Sequence, residues 1–282
     1  LHEFPRFLLR LAAKLPLRVL HAVGTVLGWV VYGMSPTYRR HLRENLAQAG
    51  LSDAHTRHQT IAAVGQMVAE LPVLWFRPQH EVAALVKGVE GAEEALAAAA
   101  QRRPLLFLAP HMGSFEVTAQ YASLQVPITV LYRAPKMAWL DPLMQEGRSR
   151  GRVHLAPADL SGVRELMAAL KRGEAAGFLP DQVPGEGEGE WAEFFGRPAY
   201  TMTLAAKLVE RAGIAAFLAY ARRLPRGQGY VIVLRRLPEK LEGESATRRL
   251  NRAIEALVRE CPGQYLWGYN RYKTPRGAKP PP

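Results

Sequence analysis

A chain of 282 residues is long enough to bury a substantial core, and its single cysteine, Cys261, excludes both an intrachain disulfide and a cysteine-based zinc cluster. A reducing, cytosolic environment is the simpler expectation, with Cys261 as a small buried hydrophobe near a helix end. The formal net charge of +12 favours an anionic surface, whether lipid, nucleic acid or acidic protein.

That charge is unevenly placed. Between Leu1 and Arg43 seven basic residues (Arg6, Arg10, Lys14, Arg18, Arg39, Arg40, Arg43) stand against one acid, Glu3, leaving +6 in this segment. Arg6, Arg10, Lys14 and Arg18 recur every fourth residue while Phe4, Phe7, Leu8, Leu11 and Leu15 fill the other side, the pattern of a basic amphipathic helix that ends at Pro16. Val19 to Met34 then runs for 16 residues without a formal charge, short of the ~20 that cross a bilayer, and Gly24 and Gly28 weaken it as a helix. Residues 1–36 therefore read as a membrane-associated helical segment lying in one leaflet, with packing on the protein body as the alternative. A cleaved signal peptide is not expected, because the run leads through Ser35 and Pro36 into a folded, basic helix.

Thr37 to Ala49, Ser52 to Phe76 and Gly91 to Gln101 read as helices, and Glu70, late in the second, reads as a solvated charge or, less readily, a site residue. From residue 104 onward the pattern alternates. Candidate strands at Leu105 to Leu108, Ile128 to Tyr132, Val153 to Leu155, Ala176 to Leu179, Ile214 to Tyr220 and Tyr230 to Leu234 are separated by helical stretches. This predicts an α/β fold with a largely parallel central sheet flanked by helices, the last two strands being candidates for antiparallel pairing. The α/β domain spans residues 37–273; residues 185–190, GEGEGE, form an acidic loop and residues 274–282 a disordered tail.

Three strand ends carry residues suited to chemistry. After Leu105 to Leu108 come Pro110, His111 and Gly113, and Ser114 can cap a helix whose first turn contains Glu116. An imidazole beside a carboxylate is the minimum equipment for a general base, and the carboxyl edge of such a sheet is where ligands bind. In a continuous helix residues five apart diverge by about 140°, so pairing His111 with Glu116 requires a strand-to-helix turn. Alone, HxxxxE is a weak signal. Arg133 follows the next strand, with Asp141, Arg148 and Arg150 beyond it, and an arginine fork there suits a phosphate. Asp181 and Gln182 follow Phe178-Leu179-Pro180 and could bind substrate hydroxyls, hold Arg133 or act as plain turn residues. Finally, the aromatics and cations interleaved from Gln264 to Lys273 suit a lipid headgroup boundary or stacked nucleic-acid bases.

HMGSFE, then YRAP with the later Asp141 and Arg148, then FLPDQ, FFGRPAYT and QYLWGYNRYKTP stand in the order and approximate spacing of the late acyltransferases of lipid A biosynthesis. These belong to the lysophospholipid acyltransferase superfamily, with its HxxxxD/E motif, and the resemblance covers nearly the whole chain. It implies an enzyme on the cytoplasmic face of the inner membrane that moves a fatty acyl chain from acyl-acyl carrier protein to a hydroxyl of a phosphorylated glucosamine disaccharide. On that reading His111 resembles the general base and Glu116 its partner, Arg133 and Arg148 hold the acceptor phosphate, and Asp181 and Gln182 match the PDQ element. Backbone N–H groups around Gly113 are then the candidate oxyanion donors. No cofactor or metal is expected, the acyl carrier protein being co-substrate; the other expected partners are anionic inner-membrane lipid and the glycolipid acceptor. Nucleic acid is not expected as a partner, and the chain is expected to be a monomer. Phe115 stands where the family often has tryptophan and Ser114 where asparagine is common, so acceptor and acyl preferences do not carry over.

Competing readings are acyl transfer to another membrane acceptor (a lysophospholipid, a phosphatidylinositol mannoside or an aminolipid) and a non-catalytic basic protein binding membrane or nucleic acid. A metal hydrolase built on His111 and Glu116 lacks a second ligand cluster such as HExxH.

Overall fold

The computed structural model describes residues 3–281, so Leu1 and His2 of the expected N-terminal segment and Pro282 of the expected tail lie outside the described residues. Two helices, α1 (Glu3–Ala13) and α2 (Leu17–Met34), come first, separated at Pro16. Helix α2 is long and apolar enough to cross a membrane. It packs one face, with Leu17, Leu20, His21, Gly24, Gly28 and Tyr32 buried, and exposes Val23, Val26, Val30 and Met34 on the other. Gly24 and Gly28, expected to weaken this helix, instead permit its packing: a Cβ on Gly28 would overlap the carbonyl oxygen of Ile61, and one on Gly65 that of Gly24.

Those partners lie on α4 (Ala54–Ala69), which follows α3 (Pro36–Gln48). Ser35 and Asp53 cap these helices by accepting from the N–H groups of Tyr38 and Thr56. The single helix expected over Ser52 to Phe76 divides at Glu70 into α4 and α5 (Leu71–Phe76), because Pro72 has no N–H to continue the ladder. The chain continues through α6 (Gln79–Ala84), β1 (Val86–Glu90), α7 (Glu93–Ala100), β2 (Leu105–Leu108), α8 (Phe115–Ala122), β3 (Ile128–Tyr132) and α9 (Asp141–Arg148). Then come β4 (Val153–Pro157), α10 (Leu160–Lys171), β5 (Ala175–Phe178), β6 (Gly189–Phe194), β7 (Arg197–Met202), α11 (Thr203–Val209), β8 (Ala215–Arg223), β9 (Tyr230–Arg236) and α12 (Ala246–Glu260).

Seven strands form the central sheet in the order β1-β9-β8-β2-β5-β3-β4. From β8 through β4 all pairings are parallel; β9 is antiparallel to β8, as expected for the last two strands, and β1 is parallel to β9. The period-2 pleat divides the core between two faces. Leu106, Leu108, Ala176, Phe178, Leu218 and Tyr220 meet Leu250, Ile254 and Leu257 of α12, whereas Leu105, Ala175, Phe217 and Ala219 meet Val117, Leu74 and Trp75.

Strands β6 and β7 form a separate antiparallel hairpin that the sequence reading did not assign; it begins at the end of the expected acidic loop over residues 185–190. Its turn places Phe195 at φ 48° and Gly196 at φ 75°, the left-handed pair that a tight hairpin needs. Residues 274–281, expected to be disordered, carry no helix or strand; the indole N–H of Trp191 donates to the Lys279 carbonyl at 2.9 Å.

Candidate active site

The strand order decides which side chains meet. Strand β5 lies between β2 and β3, so the residue after β5 comes between those after its neighbours. His111 follows β2, Asp181 follows β5 and Arg133 follows β3. His111 Nδ1 is 2.8 Å from Asp181 Oδ1, and the His111 backbone N–H donates to Asp181 Oδ2 at 2.9 Å. Asp181 is 3% exposed. Burial alone would raise its pKa; the His111 charge and the bonds from His111 outweigh it and hold the carboxyl below the usual aspartate range. An ionised carboxylate only accepts, so it fixes the proton on Nδ1 and leaves Nε2 as the basic nitrogen. Gln182 Nε2 stands 3.1 Å from that atom.

Glu116, expected beside His111, sits elsewhere. It lies in the first turn of α8, is 7% exposed, and forms an ion pair with Arg148, whose Nε lies 3.0 Å from each carboxylate oxygen and whose Nη2 also bonds Oε1. The indole N–H of Trp75 donates to Oε2 at 3.4 Å. The helical turn carries Glu116 toward α9, while Asp181 reaches His111 from the adjoining strand. Burial would weaken Arg148 as a cation, but the Glu116 charge more than compensates and raises its pKa. Arg148 also stacks 5.6 Å from the centre of the Tyr132 ring, and Tyr132 OH donates to Asp141.

The backbone N–H groups around Gly113, expected as oxyanion donors, have acceptors within the protein. Gly113 adopts φ 56°, where a Cβ would overlap the Ala221 carbonyl oxygen, so glycine is required for backbone approach. Its N–H donates to the Gln264 carbonyl at 2.9 Å, and that of Ser114 to the Ala221 carbonyl at 2.8 Å. Both donors are occupied. Arg133 is exposed and makes no side-chain hydrogen bond among the described residues, whereas Arg150 donates to the carbonyls of Leu74 and Arg77 and so braces α5.

The aromatic segment expected at a headgroup boundary is largely interior. Tyr265, Trp267 and Arg271 are buried, because this stretch crosses the carboxyl edge of the sheet and braces the His111 loop; Leu266 N–H donates to the His111 carbonyl at 3.0 Å. Burial, and then the Asp181 charge, raises the Tyr265 phenol well above its ordinary pKa. Gln264, read in the sequence only as the start of the aromatic segment, supports this loop through its carbonyl on Gly113 N–H. Its side-chain amide bonds both the N–H and the carbonyl of Arg223, at 2.9 and 3.0 Å, and nothing in its spacing signals this.

Beside this edge lies an apolar cavity of about 260 Å³. Alanines of α7 (Ala95, Ala99), sheet residues Phe107, Val130 and Ile232, and Phe115 of α8 line it; Glu116 and Arg148 are its charged residues. Phe115 joins the cavity to His111, its ring packing edge-on to the imidazole at 5.2 Å. The alanine run of α7, whose side chains leave room over the sheet, was the available sequence signal for this cavity.

A base oriented by a buried carboxylate next to an apolar cavity is equipment for deprotonating an alcohol beside a hydrocarbon chain. The family description of the bacterial lipid A biosynthesis acyltransferases matches residues 5–274. The lipid A biosynthesis lauroyltransferase of Escherichia coli (strain K12) is 25% identical over 275 residues, covering 94% of this chain and 88% of that protein. The lipid A biosynthesis palmitoleoyltransferase of the same strain is 29% identical over 277 residues, covering 93% and 87%. A lipid A biosynthesis acyltransferase of Haemophilus influenzae is 26% identical over 186 residues, covering 63% and 56%. With the match extending over nearly its whole length, the chain belongs to the bacterial lipid A biosynthesis acyltransferase family.

Proposed function

We propose that the protein transfers a fatty acyl chain from acyl-acyl carrier protein to a hydroxyl of a phosphorylated lipid A precursor, with His111 as general base. The observation that carries this reading is the His111–Asp181 pair, which Phe115 links to the apolar cavity. A thioester is already activated, so the protein must deprotonate the alcohol and stabilise the tetrahedral oxyanion. His111 Nε2 takes the acceptor proton; Asp181 keeps the tautomer and balances the imidazolium. In this reading Asp181 replaces Glu116 as the partner of the base. The cavity holds the acyl chain, Glu116 fixes Arg148 at its mouth, and Arg148 with Arg133 offers cations to the acceptor phosphate.

The N-terminal helices supply the membrane side of the proposal. Phe7, Leu8, Leu11 and Leu15 are exposed, as is the outward face of α2, while Arg6 is paired with Glu146 of α9 at 2.9 Å. An apolar surface attached to the body in this way suits one leaflet of the inner membrane, with the site on the cytoplasmic face where the acidic carrier protein can dock.

The test is acyl transfer by the purified protein to a tetra-acylated, phosphorylated disaccharide precursor and, in parallel, to a lysophospholipid. Acylated disaccharide should form, and His111→Ala should lower its formation at least ~100-fold to 10,000-fold, the usual worth of a general base. Transfer only to the lysophospholipid would replace the acceptor; undiminished turnover by folded His111→Ala would remove the base.

A further inference from the structure

We infer that Gln182 is the oxyanion donor of this transfer, an assignment that rests on the reading of His111 as the base. The four backbone donors from His111 to Ser114 are already committed. His111 N–H bonds Asp181 Oδ2 at 2.9 Å, Met112 N–H the Pro110 carbonyl at 2.6 Å, Gly113 N–H the Gln264 carbonyl at 2.9 Å and Ser114 N–H the Ala221 carbonyl at 2.8 Å. Arg148 is held on Glu116, and Arg133 is exposed beyond the end of β3. The side-chain donor that touches the base nitrogen itself is the Gln182 amide, 3.1 Å from Nε2.

Its orientation follows from the pair behind it. Asp181 accepts from Nδ1–H, so Nε2 of the neutral ring carries a lone pair, and the group 3.1 Å away must present N–H to it. The amide nitrogen, not its oxygen, therefore faces the reaction space. The segment carrying it is fixed, since the neighbouring Val183 N–H donates to Tyr269 OH at 3.0 Å.

In the resting site this amide occupies the position that the acceptor hydroxyl must take. As the hydroxyl displaces it, the new C–O bond forms at the thioester carbon and the O–H proton passes to Nε2. The carbonyl π pair moves onto oxygen. That oxygen is two bonds from the attacking one, within reach of an amide that a moment earlier touched Nε2. Both Gln182 N–H groups are then free to donate to it. Collapse breaks the C–S bond, the thiolate takes the proton back from His111, and the amide returns to Nε2. A side-chain donor that strengthens its bond only as charge develops acts on kcat rather than on substrate affinity.

The experiment compares the wild-type full chain with Gln182→Ala and Gln182→Glu, using an acyl carrier protein thioester and the phosphorylated disaccharide precursor. Loss of one oxyanion donor should lower kcat about 100-fold to 1,000-fold with KM changed little. Gln182→Glu keeps the side-chain length but cannot donate, so it should lose as much, and it guards against poor folding of the alanine variant. A kcat within about threefold of wild type, or a loss confined to KM, would overturn the assignment if His111→Ala is inactive in the same assay. Full turnover by His111→Ala would strike the base itself, and the donor role with it.

Discussion

Two histidine–carboxylate pairs of nearly the same length, one part-buried and one buried, differ in what surrounds them. His111 and Asp181 meet at 2.8 Å at the carboxyl edge of the sheet; His21 and Glu70 meet at 2.9 Å between α2 and the end of α4. Glu70 is saturated. Arg223 donates to it twice, at 2.9 and 2.6 Å, and Tyr230 OH donates at 3.0 Å. Asp181 instead accepts twice from His111, through Nδ1 and the backbone N–H, and the far nitrogen of His111 lies 3.1 Å from the Gln182 amide. The two pairs therefore differ at the acid: Glu70 is tied to a buried cation from another segment and joins elements together, whereas the hydrogen bonds of Asp181 run to the histidine itself.

Replacing each acid by its amide should separate the two. Asp181→Asn should produce the largest effect on chemistry. An asparagine that keeps its oxygen on the His111 backbone N–H turns its NH₂ toward Nδ1, forcing the ring proton onto Nε2 and blocking the base. We expect kcat to fall roughly 1,000-fold to 10,000-fold, as wrong-tautomer variants of triads do. Single-turnover acyl transfer measures this, and a loss below tenfold would mean that Asp181 does not set the tautomer.

Glu70→Gln should lower stability and spare the specific activity of the folded protein. Breaking a buried ion pair is destabilising by about 3–5 kcal/mol, because it leaves Arg223 buried without its counter-charge. The pH dependence follows from the same group. Burial pushes the Glu70 carboxyl up, but the Arg223 charge and the bonds from His21 and Arg223 prevail, taking it from the usual 4.5 to about 2. With the folded value depressed, the ionised carboxylate contributes its full stability above pH 4.5 and loses it as pH falls toward 2. Denaturant titrations should therefore show a gap between wild type and Glu70→Gln that is widest at neutral pH and narrows through that window. A constant gap would assign the stability to packing.

The same contrast shows how much was readable in the sequence. Strands β2 and β3 occupy the predicted residues, because short apolar runs bounded by proline, glycine and polar turns mark buried parallel strands. His111, Arg133, Asp181 and Gln182 were legible as strand-end residues. Their pairing was not. Contact between His111 and Asp181 depends on β5 lying beside β2, and the order of strands is a tertiary property that no local spacing encodes. Glu70 resembled a surface charge for a related reason: its partners, His21, Arg223 and Tyr230, come from three distant segments. The β6–β7 hairpin escaped notice because Phe195, a bulky residue, occupies a left-handed position that sequence rules reserve for glycine or asparagine.

Glu116 supplies the finest test of the comparison, since it is the acid that the HxxxxE spacing nominates. If its role is to hold Arg148, Glu116→Gln removes one charge-assisted contact worth ~1.5–3 kcal/mol, or roughly tenfold to 150-fold in kcat/KM. The loss should fall mainly in KM for the phosphorylated acceptor, because the base and its tautomer are untouched. Arg148→Gln should give a similar loss. The double variant should lose little more than either single change, since two residues acting through one contact are not additive. A fall in kcat matching that of Asp181→Asn, with additive behaviour toward Arg148→Gln, would instead place Glu116 in the proton transfer and leave its ion pair with Arg148 incidental.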